Sequence, residues 1–115
     1  MGTRRDRGRA GERFAAAYLE LLGFEVLERN TRLAGVEVDL VAREASTTVL
    51  VEVKWRGRTD YGGAALAIDE RKRQRLLRAA RALAPSSPDV RVDVVAIEPD
   101  GDGVRLRHYR NAIHD

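Results

Sequence analysis

Residues 36–55, VEVDLVAREASTTVLVEVKW, decide how this chain folds. Side chains on a strand alternate faces with a period of two. In Val49–Trp55 one face carries Val49, Val51, Val53 and Trp55, all apolar, which belong in a core. The other face carries Leu50, Glu52 and Lys54. In the preceding segment, Val36–Arg43, one face holds Glu37, Asp39 and Val41, and the opposite one Val38, Leu40 and Ala42. With Ala45-Ser46 as the loop, or the four-residue version centred there, the numbers of paired residues sum to 91. Asp39 then falls opposite Glu52, Glu37 opposite Lys54, and Val41 opposite Leu50. Each apolar set lands on one side of the sheet, which supports this register, because a slip by one residue turns every side chain over.

Directly opposed side chains have Cβ atoms roughly 5 Å apart. Two carboxylates at that spacing repel unless a cation or a proton lies between them. A divalent metal with oxygen ligands is the natural occupant. Mg²⁺ takes one or two carboxylates together with waters and phosphate oxygens, and Mn²⁺ suits the same ligands. Such an ion polarises a phosphodiester and generates hydroxide from bound water. A neighbouring lysine can orient that water or stabilise charge developing on phosphorus. The competing reading is a plain cross-strand charge ladder, worth a few tenths of a kcal/mol. It explains Lys54 but not Asp39 facing Glu52.

Working outward, Gly8–Leu22 shows helical spacing, with Ala10, Phe14, Ala17, Tyr18, Leu21 and Leu22 as one apolar stripe. Gly23 supplies a helix stop. Phe24, Val26 and Leu27 read as a short strand, and Arg29–Gly35 as a polar connection. Val36–Arg43 follows as the second strand and Thr47–Arg56 as the third, rich in β-branched residues, and Gly57–Gly63 reads as a mobile glycine-rich loop. Ala64–Ala84 reads as a second helix, with Leu66, Ile68, Leu76, Leu77, Ala80 and Leu83 as its apolar contacts. Val90–Ile97 is a mostly buried strand and Val104–Tyr109 a final one, joined by a turn at Pro99–Gly103. The order α-β-β-β-α-β-β implies an α/β domain, a central mixed sheet flanked by helices. Residues 1–115 form one such domain, with 1–7 as a polar arm.

The size, 115 residues, fits one domain. With no cysteine, disulfides and thiolate metal sites are excluded, which suits a reducing cytoplasm. No long apolar run is present, so no membrane partner is expected. The Arg-rich Met1–Arg9 lacks a following apolar stretch, so a secretory signal is not expected either. A net charge of +3 favours a polyanionic partner. Arginine supplies nearly all the positive charge, and the only lysines are Lys54 and Lys72. A lysine retained inside a strand against that bias invites a chemical reason.

Asp39, then twelve residues, then Glu52-Val53-Lys54, resembles the PD-(D/E)xK nuclease signature. The chain-wide pattern is narrower. Gly8, Gly11-Glu12, Ala16 and Leu19, then Gly23-Phe24 and Arg29-Asn30, lead into Glu37-Val38-Asp39-Leu40 and Val51-Glu52-Val53-Lys54 with Arg56. Lys72, Arg91-Val92-Asp93-Val94 and Asn111-Ala112 complete it. Together they resemble the YraN-like family of predicted endonucleases, which is similar to Holliday junction resolvases. Two positions depart from the family pattern: Val36, where a glycine is common, and Trp55, where a small polar residue is. Trp55 points away from the acidic face by parity.

The resemblance implies a restriction-endonuclease-like fold, DNA as substrate, branched or structured DNA above all, and Mg²⁺ held by Asp39 and Glu52 with Lys54 catalytic. It adds Glu12 as an acid contributed by the first helix. Junction cutting needs two sites, which makes a homodimer an expectation.

Other residues have quieter readings. Glu12 on a first turn complements the helix dipole by itself. The face with Arg71, Lys72, Arg73, Arg75, Arg78 and Arg81 is either solvated or a phosphate-holding surface, and Lys72 and Arg75 are assigned to nucleic acid. Arg56 and Arg58, just past the catalytic strand, are assigned the same role. Asp69 reads as exposed rather than as a cap. His108 and His114 lack partners at ligand spacing and read as surface residues. Asp93, between valines, reads as a buried, hydrogen-bonded structural acid. No Ser-His-Asp or phosphate-loop pattern is present. The rivals are an inactive nucleic-acid-binding module of the same fold, a partner-docking domain, and Mg²⁺ chemistry on RNA.

Overall fold

A computed structural model describes residues 4–55 and 68–114, with residues 4–8 described by backbone alone. Helix α1 (Arg4–Leu21) leads into the hairpin of β1 (Glu25–Leu33) and β2 (Val36–Glu44), and then β3 (Thr47–Trp55). Helix α2 (Glu70–Leu83), β4 (Asp89–Asp100) and β5 (Gly103–Ile113) follow. The sheet runs β1-β2-β3-β4-β5; β3 and β4 are parallel and the other neighbours antiparallel. The parallel pair needs a crossover, which α2 supplies. This is the α/β layout, in the α-β-β-β-α-β-β order, that the sequence implies.

The sheet has a core on each face. On one, α1 lays Ala15, Ala16 and Leu19 against Leu40, Ala42, Val49, Val51, Val95 and Ile97. On the other, α2 lays Leu76, Leu77 and Ala79 against Val38, Val41, Leu50, Val92 and Val94. Val49/Val51 and Leu50 thus part as strand parity requires.

Of the stripe expected on α1, Tyr18 packs against the core, whereas Phe14, Ala17, Leu21 and Leu22 are turned outward. Phe14 is 47% exposed and Leu21 89%. The buried face carries small residues, Gly11, Ala15 and Ala16, together with Leu19. Small residues let the helix axis approach the sheet closely. A Cβ on Gly11 would lie 3.4 Å from both Ile97 Cδ1 and Trp55 Cε3. Bulk rather than contact geometry misleads the stripe reading. The helix also begins at Arg4, so residues 4–7 are its first turn rather than an arm.

The polar connection Arg29–Gly35 is strand and turn instead. β1 runs to Leu33 and reverses through Ala34-Gly35, both at positive φ (53° and 76°). Two such residues close a tight hairpin with the sheet's own twist. Helix α2 starts at Glu70, capped by Asp69, whose Oδ1 accepts the Lys72 N–H at 2.8 Å. Asp69 is therefore a cap as well as exposed, and Asp69→Ala should cost about 1 kcal/mol of stability in urea unfolding. The glycine-rich loop and residues 64–67 of the expected helix lie outside the described residues.

His108 is not a surface residue. Its side chain is 5% exposed, with Nε2 donating to Asp93 Oδ2 at 2.8 Å and Nδ1 3.0 Å from the Tyr18 hydroxyl. Asp93 is the buried, hydrogen-bonded acid expected. Among the described residues no helix is long and apolar enough to cross a membrane.

Candidate metal and phosphodiester site

The hairpin register is the expected one near its turn: Glu44↔Thr47, Ala42↔Val49, Val41↔Leu50 and Leu40↔Val51. There the pairing stops. Asp39 and Glu52 are not ladder partners, because the Asp39 carboxylate takes over a backbone role: Oδ2 accepts the Val53 N–H at 2.8 Å. Glu37 is paired with Arg32 across the β1–β2 hairpin rather than with Lys54. It is exposed and lies outside the cavity lining.

The expected acids nevertheless converge. A cavity of about 250 Å³ is lined by Gly11, Glu12, Asp39, Glu52, Val53, Lys54, Trp55 and Lys72. Glu12 comes from α1, Asp39 from β2, Glu52 and Lys54 from β3, and Lys72 from α2. Trp55 packs on the α1-side core, as its parity predicts, yet also walls this cavity.

Glu52 is the electrostatic centre. Its side chain is 4% exposed. Oε2 lies 3.2 Å from Lys72 Nζ and 3.9 Å from Lys54 Nζ. Oε1 is buried with no hydrogen-bond partner, an uncommon and costly state for a carboxylate oxygen. Burial, then the Asp39 charge, push the Glu52 carboxyl up to about 7, against the pull of Lys72. Burial also raises Glu12, followed by repulsion from Asp39 and Glu37, while a hydrogen bond from the Asn30 side chain pulls it down.

Both lysines of an arginine-rich chain therefore meet one carboxylate. Lys72, assigned from sequence to nucleic acid, lines the same cavity as the acids. Its rarity was the available signal. Arg75 is exposed on α2 and does not line the cavity. Arg56 and Arg58 lie outside the described residues. Asn30, for which no role was read from sequence, reaches Glu12.

The donor set is all oxygen, with an orphaned buried acceptor beside a second carboxylate, which fits a hard divalent cation. Among the described residues no three acidic or histidine side chains cluster closely enough to cage an ion alone.

Residues 11–97 match the profile of "Uncharacterised protein family UPF0102". The chain belongs to that family. UPF0102 is the YraN-like family of the sequence resemblance. The UPF0102 protein of Halorhodospira halophila is 43% identical over 112 residues, covering 96% of this chain and 89% of that protein. That of Symbiobacterium thermophilum is 39% identical, covering 93% and 95%. Among solved structures, Pyrococcus furiosus SfsA in complex with Ca²⁺ aligns with a TM-score of 0.47 at 15% identity. The alignment covers 92% of this UPF0102 chain and 63% of the longer SfsA chain.

Proposed function

We propose that this site hydrolyses phosphodiester bonds of DNA, branched or structured DNA above all, with a divalent cation held by Asp39 and Glu52 and approached by Glu12. The observation that carries the reading is the Glu52 carboxylate: buried, one oxygen unpartnered, beside a second acid, with both lysines on its other oxygen. A carboxylate kept so costly by its surroundings is a functional-site signature. When bound, Mg²⁺ or Mn²⁺ supplies Lewis acidity toward the phosphodiester and the attacking water.

The chain's own groups do the rest. Asp39, pinned by the Val53 amide, and Glu52, pinned by two ammonium groups, are preorganised. Lys54 on β3 orients the water. Lys72, reaching in from α2, takes a phosphate oxygen and balances the charge that grows on it as the water oxygen bonds to phosphorus and an ester oxygen leaves. Arg75, on the exposed face of the same helix, holds a flanking phosphate without reading sequence.

The test is a cleavage panel of linear, single-stranded, flap and four-way DNA with Mg²⁺, Mn²⁺ or EDTA. Cleavage should need metal and fall at least ~10³-fold in Asp39→Asn and Lys54→Ala, consistent with the loss of preorganised charge at a reacting centre. Activity in EDTA, or full activity in both variants, would overturn the mechanism. DNA binding without cleavage, insensitive to EDTA and to Asp39→Asn, would establish a binding module instead. Lys72→Ala should lose about 10²-fold in turnover with Mn²⁺ affinity retained. Arg75→Ala should leave turnover intact and lower the salt slope of DNA binding by about 1.

A further inference from the structure

Asn30 lies within β1 with φ at 49°, a left-handed backbone in the interior of a strand. Its flanking pairs are Arg29↔Leu40 and Thr31↔Val38, so it stands across from Asp39. The sheet changes at this level. Val36 and Val38 join the α2-side core, whereas Leu40 and Ala42 join the α1-side core, although all four share one parity. On an unbroken strand residues i and i+2 face the same way. The exchange of faces brackets Asp39, and here too the β2–β3 ladder ends and Asp39 turns to the Val53 amide.

The residue type suits that backbone. Asparagine tolerates the left-handed region better than any β-branched or bulky residue. Its side chain adds a second link: Glu12 of α1 lines the same cavity as Asp39, and the Asn30 amide holds the Glu12 carboxyl down against the upward push of burial. An amide N–H satisfies a carboxylate lone pair without bringing a positive charge that would compete with a metal.

We infer that Asn30 is a positioning residue of the acidic site: its backbone turns the β1–β2 hairpin so that Asp39 faces Glu52, and its amide aims Glu12 at the same cavity. The link to metal rests on the reading proposed above; the link to Asp39 and Glu12 does not. Outer partners of this kind orient ligands, and their loss weakens metal binding by about 10–100-fold.

Asparagine-to-glycine and asparagine-to-alanine exchange separate the two roles, because glycine accepts the left-handed backbone and alanine resists it. In the full chain, Asn30→Gly should keep the wild-type melting temperature in EDTA and bind Mn²⁺ about tenfold more weakly. In a Glu12→Ala background the same exchange should change Mn²⁺ affinity no further, since the side chain acts through Glu12. In metal-free protein, Val53 amide exchange should accelerate about tenfold in Asn30→Ala but not in Asn30→Gly, and Glu12→Ala should move the Asn30 side-chain amide resonances.

Wild-type Mn²⁺ affinity in Asn30→Gly, or an undiminished loss in the Glu12→Ala background, overturns the side-chain role. Unchanged Val53 exchange in Asn30→Ala overturns the backbone role. If the wild-type protein binds no Mn²⁺, the metal reading fails, and the two metal-free measurements decide the positioning of Asp39 and Glu12 by themselves.

Discussion

Replacing Glu52 by glutamine is expected to stabilise the metal-free protein at pH 8 and to abolish its response to Mg²⁺. The wild-type carboxyl sits at about 7 in the fold, against an ordinary value of 4.5. A group raised on folding holds its proton more tightly in the native state than in the unfolded chain. Its contribution to stability is complete below about pH 4.5 and is lost as pH rises through about 7. Over that window the loss amounts to about 3 kcal/mol, at 1.36 kcal/mol for each unit. Glutamine has the same shape and cannot ionise. The gap between variant and wild type in urea unfolding with EDTA should therefore open from near zero at pH 4.5 to about 3 kcal/mol at pH 8. Added Mg²⁺ should close it from the other side, stabilising the wild type by preferential binding to the native state and leaving the variant unmoved. A gap that is the same at both pH values would contradict the burial and repulsion that define this site.

On the reading proposed above, such a trade is what a binding centre costs a small domain. Lys72 and Lys54 offset part of the penalty on Oε2, but nothing among the described residues serves Oε1. The fold keeps a charge it could more cheaply replace, and that argues for a ligand more directly than the acidic pattern itself.

Much of this centre was legible because strand periodicity is a local property. The alternation in Val49–Trp55 and the two-residue loop at Ala45-Ser46 placed Leu40, Val41 and Ala42 in register with β3. Asp39 and Glu52 came together by a different route, since the ladder breaks one pair earlier than parity implies. That break traces to the left-handed Asn30 on a neighbouring strand, which period-two reasoning on β2 and β3 cannot see. The β1–β2 turn was hidden for a similar reason: Ala34 adopts a positive φ that alanine seldom signals. On α1, residue size concealed part of the contact face, because Gly11, Ala15 and Ala16 pack beside Leu19 while Phe14 and Leu21 stay exposed. His108 finds Asp93 fifteen residues away and Tyr18 ninety away, partners that no spacing along the chain reveals.

The other large effect belongs to Asp93, on the α1 face of the sheet, and it should be one of folding alone. Asp93 is fully buried and accepts from Arg91 Nε at 2.9 Å, His108 Nε2 at 2.8 Å and the Asn111 N–H at 2.9 Å. Burial raises its carboxyl, but these donors outweigh that and hold it below the ordinary value. Asp93→Ala removes the buried acceptor of Arg91 Nε, His108 Nε2 and the Asn111 N–H, leaving Arg91 only its pair with Glu44, and should cost about 3–5 kcal/mol. A domain of ordinary stability has only about 5–15 kcal/mol to lose. Asp93→Asn keeps the shape and an acceptor for Asn111, so it should cost less, about 1.5–3 kcal/mol for the lost charge-assisted bonds. A carboxyl lowered on folding contributes above its unfolded value of about 3.9 and fades as pH falls through the folded one, so the wild-type advantage over Asp93→Asn should shrink in acid. Guanidinium unfolding at pH 7 and pH 3 reads this directly. Because Asp93 lies on the face opposite Glu52, folded Asp93→Asn protein should bind Mn²⁺ as the wild type does. A variant that folds normally but loses the metal would mean that the two faces are coupled through the sheet, and the separation of scaffold from site drawn from their opposite parity would fail.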